Sequence, residues 1–178
     1  MNTVRASLAI AATALAMASL QTFPSTATAN DRAQEKVMTD TTTMQERNKA
    51  AVRDRFAAWA SGAGSPFELL AEDATWTITG RSAASKTYVG REAFLRDVIR
   101  PFNARMQAPL KPVVHAVYAD GDTVVIFFDA SAVARDGKPY TNTYTWYLDM
   151  RDGKVVKATA MFDSIEFNDL WSRVQPTQ

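Results

Sequence analysis

The chain has no cysteine in its 178 residues. That excludes disulfides, thiolate nucleophiles, zinc–thiolate sites and lipid attachment at a signal-peptide cysteine. It has one histidine, His115. With no second histidine and no carboxylate at ligand spacing, a metal site is not expected. Neither charge is in excess, because 20 Lys and Arg face 19 Asp and Glu. A neutral domain lacks the electrostatic footprint that nucleic acid or an anionic membrane would need. Gly-rich phosphate loops, nucleophile elbows and metal motifs are missing as well, so the expected cofactor is none.

What is present begins with an export pattern. Arg5 precedes an apolar, Ala-rich run from Leu8 to Leu20. That run is too short to span a bilayer of about 30 Å. Pro24 breaks it, and Ala27-Thr28-Ala29 reads as an A-x-A cleavage site. Residues 1–29 are therefore expected to be a signal peptide cleaved after Ala29, which implies a periplasmic or secreted protein. Removing Arg5 leaves 19 charges of each sign. No second long apolar run follows, so no membrane contact is expected of the mature form. Residues 30–43 are polar and Thr-rich and read as a disordered linker. Residues 44–178 make one domain, and 47% apolar residues is ordinary for a globular chain.

Val52, Phe56 and Trp59 recur at helical spacing, which predicts a helix over 44–60 ended by Ser61-Gly62. Ser65, Pro66 and Glu68 look like the start of a short helix. Residues 74–79 alternate and read as a strand. Residues 80–85 read as a loop. Residues 90–104 predict a helix that Pro101 kinks or ends. Four strands follow, over 113–119, 123–135, 140–150 and 154–162. The turns Asp120-Gly121, Asp136-Gly137 and Asp152-Gly153 mark hairpins, so the sheet is expected to be antiparallel. Asp163 to Glu166 resembles a capping box opening a last helix. The pattern is α+β: a curved antiparallel sheet wrapped around N-terminal helices, a cone-shaped roll that encloses a small-molecule cavity.

The order of these pieces resembles a known family. The helix, Ala71-Glu72-Asp73-Ala74-Thr75-Trp76, Gly90-Arg91-Glu92-Ala93, Asp120-Gly121-Asp122, and Asp152-Gly153-Lys154-Val155 through Phe162-Asp163 are similar to a SnoaL-like domain. That domain belongs to the nuclear transport factor 2-like (NTF2-like) superfamily, with ketosteroid isomerases, limonene epoxide hydrolases and polyketide cyclases. The resemblance covers about residues 44–174. It implies the cone fold and a homodimer paired through the sheet face. It does not imply steroid isomerisation. The base position falls on Ile78 or Thr77, the helix tyrosine position on Phe56, and the protonated acid position near Tyr144, Thr145 and Trp146. Against the epoxide hydrolases, Asp129 and Asp163 match the two aspartates, and Phe127 stands where the arginine belongs.

Asp163 and Asp129 are thus the candidate catalytic pair. Asp163 is either a base or the N-cap of the last helix. Asp129 faces the cavity if Val125, Phe127 and Ser131 point inward, and solvent if Phe128 does. Asn142, Tyr144, Trp146 and Leu148 share one face of their strand, read as the inner one, with Thr141, Thr143, Thr145 and Tyr147 outside. The candidate ligand-binding residues are Tyr144, Asn142, Trp146, Trp76, Phe127, Tyr88, His115 and Met161. Three functions follow. The chain binds a small apolar molecule; or it is a cofactor-free acid–base enzyme using Asp163 and Asp129; or it is an association module whose cone is filled by its own side chains.

Overall fold

A computed structural model of the chain describes residues 28–176. The expected signal segment lies almost wholly outside these residues. Helix α1 (Ala29–Ala60) opens on Thr28, whose hydroxyl accepts the Asp31 amide while the Asp31 carboxylate returns to the Thr28 amide. Residues 30–43, expected as a linker, are helical. Besides the cap, the hydroxyls of Thr39, Thr42 and Thr43 bond back to carbonyls four residues earlier, so these threonines satisfy themselves within the helix. The stretch is almost entirely exposed, and α1 enters the core only with Asn48, Val52 and Phe56.

Gly62 takes φ +77 just after the helix, a conformation that glycine adopts without a Cβ clash. Ser65 then caps a single 3-10 turn, Pro66–Leu69, with Glu68 completing a reciprocal cap. The strands are β1 (Leu70–Ile78), β2 (Thr87–Val89), β3 (Lys111–Asp120), β4 (Thr123–Val133), β5 (Pro139–Arg151) and β6 (Lys154–Phe162). The short β2 falls just beyond the expected loop. It pairs with β1 through Trp76 opposite Tyr88.

The six strands lie in one curved sheet in the order β2-β1-β6-β5-β4-β3. The hairpins at the three Asp-Gly turns form as expected. The sheet is nevertheless mixed, because β1 pairs with β6 in parallel. Hairpin signals report only neighbouring strands. This pairing joins strands about eighty residues apart, with a crossover long enough to permit the parallel direction. Register shifts near Leu70/Thr75, Val114/Ala116 and Asp149/Met150 bend the sheet.

One helical stretch covers the concave side beside α1. It runs as α2 (Arg91–Phe94), a π turn (Leu95–Ile99) and α3 (Arg100–Asn103). Pro101 does not end the helix. Proline has no N–H to give, and the wider turn just before it accommodates the lost bond. Helix α4 (Ser164–Arg173) packs on β5 and seats Phe167 and Leu170 in the core.

Candidate functional site

Alternation along β5 places Tyr140, Asn142, Tyr144, Trp146 and Leu148 inside and the threonines outside. On β4 the inward set is Val124, Ile126, Phe128 and Ala130. Phe128 is fully buried, so Asp129 faces the convex side. The inner residues of β1, β4, β5 and β6 meet α1 and the α2–α3 stretch around a hollow of about 210 Å³.

Aromatic rings dominate its walls. Trp146 lies edge-on to Trp76 and to Phe128, with both centroids 4.9 Å away. Trp76 stacks on Phe94 at 4.5 Å, and Phe128 stacks on Tyr144 at 5.0 Å. Val98, Ile99 and Phe102 come from the π turn and α3, and Trp59 comes from α1. The exposed Asn103 and Pro109 stand at the rim. Among the described residues, no Asp, Glu, His, Lys or Arg lines the hollow.

One polar chain reaches the wall. The Tyr140 and Tyr144 hydroxyls are 2.8 Å apart, and Asn142 donates to the Tyr140 oxygen at 3.0 Å. Asn142 also holds both main-chain groups of Asp163, donating to the carbonyl and accepting from the amide at 2.9 Å each. Burial is the main cause pushing the Tyr140 hydroxyl up to about 12, and burial first, then Tyr140, holds Tyr144 well above the usual tyrosine value. Both are neutral donors at physiological pH.

Tyr140 therefore keeps its proton longer in the folded protein than in the unfolded chain. Its share of stability is full below pH 10 and drains away as the pH climbs from about 10 toward about 12. Two units correspond to roughly 2–3 kcal/mol. Urea melts between pH 9 and 12 should show this decline, and Tyr140→Phe should make it shallower. An equally steep decline in the variant would assign it to other groups.

The sequence-derived candidates divide into three places. Tyr144, Trp146 and Trp76 line the hollow. Asn142 and Tyr88 are buried behind it. Asn142 braces Tyr140, and the Tyr88 hydroxyl donates to the Ala84 carbonyl at 2.7 Å. Phe127, His115 and Met161 sit on the convex face, each about 40% exposed. Phe127 reads as inward because β4 is apolar on both faces, and His115 because a register shift there breaks the alternation of β3. Met161 takes the outward register of β6 next to the buried Ala160.

The two aspartates do not reach the hollow. Asp129 accepts from the Thr143 hydroxyl at 2.6 Å and bonds His115 Nε2 at 2.8 Å on the open sheet face. First Thr143, then His115, holds its carboxyl below the usual aspartate value, which makes a poor base at neutral pH. Asp163 caps α4, its Oδ1 accepting the Ile165 amide at 2.8 Å. Both border a shallow, open groove at the sheet rim with Lys111 and Glu166. The aromatic lining that the candidate list missed is Trp59 together with Phe67, Phe94, Phe102, Phe128, Phe162 and Phe167. Its signal was the recurrence of phenylalanine across elements that the curved sheet brings together.

No curated protein matches the sequence closely enough to count as a relative. Solved structures do match. Bal32a, from a soil-derived mobile gene cassette, is 27% identical with a TM-score of 0.61, covering 72% of this chain and 98% of its own. TerC, co-crystallised with polyporic acid, is 19% identical with a TM-score of 0.57, over 70% of this chain and 98% of its own. A putative SnoaL-like polyketide cyclase from Jannaschia sp. CCS1 is 15% identical with a TM-score of 0.58, over 73% and 94%. Likeness at the last two identities speaks to the fold alone. The model of the SnoaL-like domain matches residues 52–158, from the packed half of α1 into β6. On that match, and with the curved six-stranded sheet around its helices, the chain belongs to the SnoaL-like domain family.

Proposed function

We propose that this protein binds a small, largely apolar molecule in the aromatic hollow. The observation that carries the reading is the lining: stacked and edge-on rings, Tyr144, and, among the described residues, no other ionisable side chain. Such walls favour desolvated, uncharged ligands. The solved TerC structure, with polyporic acid, lends the fold a precedent for holding an organic molecule. The acid–base reading lacks its base, since neither Asp163 nor Asp129 lines the hollow. We extend the proposal to a homodimer paired through the convex sheet face, where Tyr118, Tyr147, Phe127 and Met161 are exposed. Export to the periplasm or beyond is proposed on the N-terminal sequence pattern.

The test is titration with indane, followed by tryptophan fluorescence, because Trp59, Trp76 and Trp146 all line the hollow. Saturable one-to-one quenching and a raised melting temperature are expected. Ile99→Trp, which fills the hollow, should abolish both. Asp129→Asn and Asp163→Ser, away from the walls, should leave binding within twofold. Failure of indane and of other one- and two-ring hydrocarbons to bind the wild-type protein would end this reading.

A further inference from the structure

The hydrogen bonds behind the wall orient the amide of Asn142 and favour one direction for its polar edge. Asn142 Oδ1 accepts the Asp163 amide and Nδ2 donates to the Asp163 carbonyl. A reversed amide would set donor against donor and acceptor against acceptor, so the orientation is determined. The second Nδ2 hydrogen goes to the Tyr140 oxygen. Either hydroxyl could donate in the Tyr140–Tyr144 bond, but with Asn142 already donating to Tyr140, the arrangement in which Tyr140 donates to Tyr144 lets each group serve once. In that arrangement the Tyr144 proton is left without an acceptor among the described residues, on a side chain that lines the hollow.

A second observation agrees. Trp76 Nε1 is buried, has no hydrogen-bond partner among the described residues, and belongs to a ring lining the same hollow. Leaving a buried donor unmade is costly, and both spare groups here are donors. Among the described residues lining the hollow, no cation stands by to take a carboxylate, and no acidic side chain to take an amine. The volume, about 210 Å³, falls below the roughly 300–1000 Å³ of pockets for drug-sized ligands.

Resting on the ligand-binding reading above, we infer that the ligand is a flat molecule of one or two rings carrying a neutral hydrogen-bond acceptor, a ketone or ester carbonyl, which Tyr144 Oη–H engages. Asn142 and Tyr140 are positioning residues that turn the Tyr144 proton into the hollow. Carboxylic acids in ionised form, amines and large fused-ring systems are rejected.

The experiment compares 1-indanone with indane, the same two rings with and without a carbonyl. Tyr144→Phe should weaken 1-indanone about tenfold more than it weakens indane, the span of one buried hydrogen bond. The infrared carbonyl stretch of bound 1-indanone should lie below its frequency in hexane, and should move back up in Tyr144→Phe. Tyr140→Phe should give an intermediate shift with indane binding unchanged. Should Tyr144→Phe fail to fold, the stretch in the wild-type protein decides alone. A hexane-like frequency, or equal loss of both ligands in Tyr144→Phe, overturns the acceptor inference while the hollow remains a binding site. If neither ligand binds the wild type, the binding reading falls too.

Discussion

Asn142→Leu is expected to cost about 3–4 kcal/mol of stability, among the largest single-residue effects in this fold. Asn142 is only 6% exposed and serves three partners: the Asp163 amide, the Asp163 carbonyl and the Tyr140 hydroxyl. Leucine keeps the branched four-atom skeleton, is bulkier, and offers none of these bonds. Three partly or fully buried polar groups would be stranded at once, and each such loss costs roughly 1–3 kcal/mol before relaxation. The neighbouring Thr143→Val supplies the contrast. Thr143 bonds Asp129 on the exposed convex face, so its loss should be far smaller. Urea melts of both variants check the order. Equal losses, or a larger one at Thr143, would mean that β5 presents its other face to the core.

Trp146→Ala should cost about 3–5 kcal/mol, the range for truncating a large buried aromatic. Its ring lies within 6.5 Å, centroid to centroid, of Phe56, Trp59, Phe67, Trp76, Phe128 and Tyr144. Removal would open a void continuous with the existing hollow. Such a void can admit solvent or a larger guest, so the variant should lose indane and gain affinity for bulkier hydrocarbons. Denaturant unfolding and the fluorescence titration read the two effects separately. A loss under about 1 kcal/mol would show that the surrounding rings collapse into the space.

Different residues were legible in the sequence for different reasons. The hairpins were plain, since Asp120-Gly121, Asp136-Gly137 and Asp152-Gly153 set each turn and the glycines there take positive φ. The inner face of β5 was plain too, because threonine alternates with aromatic side chains. On β4, Val124 to Phe128 is apolar throughout, so alternation gives no face and the outward turn of Asp129 stays hidden. The cap reading of Asp163 was available from its spacing to the last helix, but only the bond to the Ile165 amide separates it from a role as a base. The parallel contact of β1 with β6 leaves no local trace. The brace from Asn142 to Asp163 joins residues 21 apart, and only the folded register brings them together.

That parallel contact carries a consequence for how the chain reaches its native state. Strand β6 is the last of the six to be synthesised, and it stands third in the sheet, between β1 and β5. Without it, the pairing left in the sheet is β2 with β1 on one side and β5, β4 and β3 on the other. The half of the hollow built on β1 cannot face the half built on β4 and β5. Contacts of such long range are slow to form, since their loop-closure entropy is met before they stabilise anything. Without β6 the sheet is two unjoined pieces with exposed edges, so the pairing of this keystone strand is expected to be a late and slow event in folding.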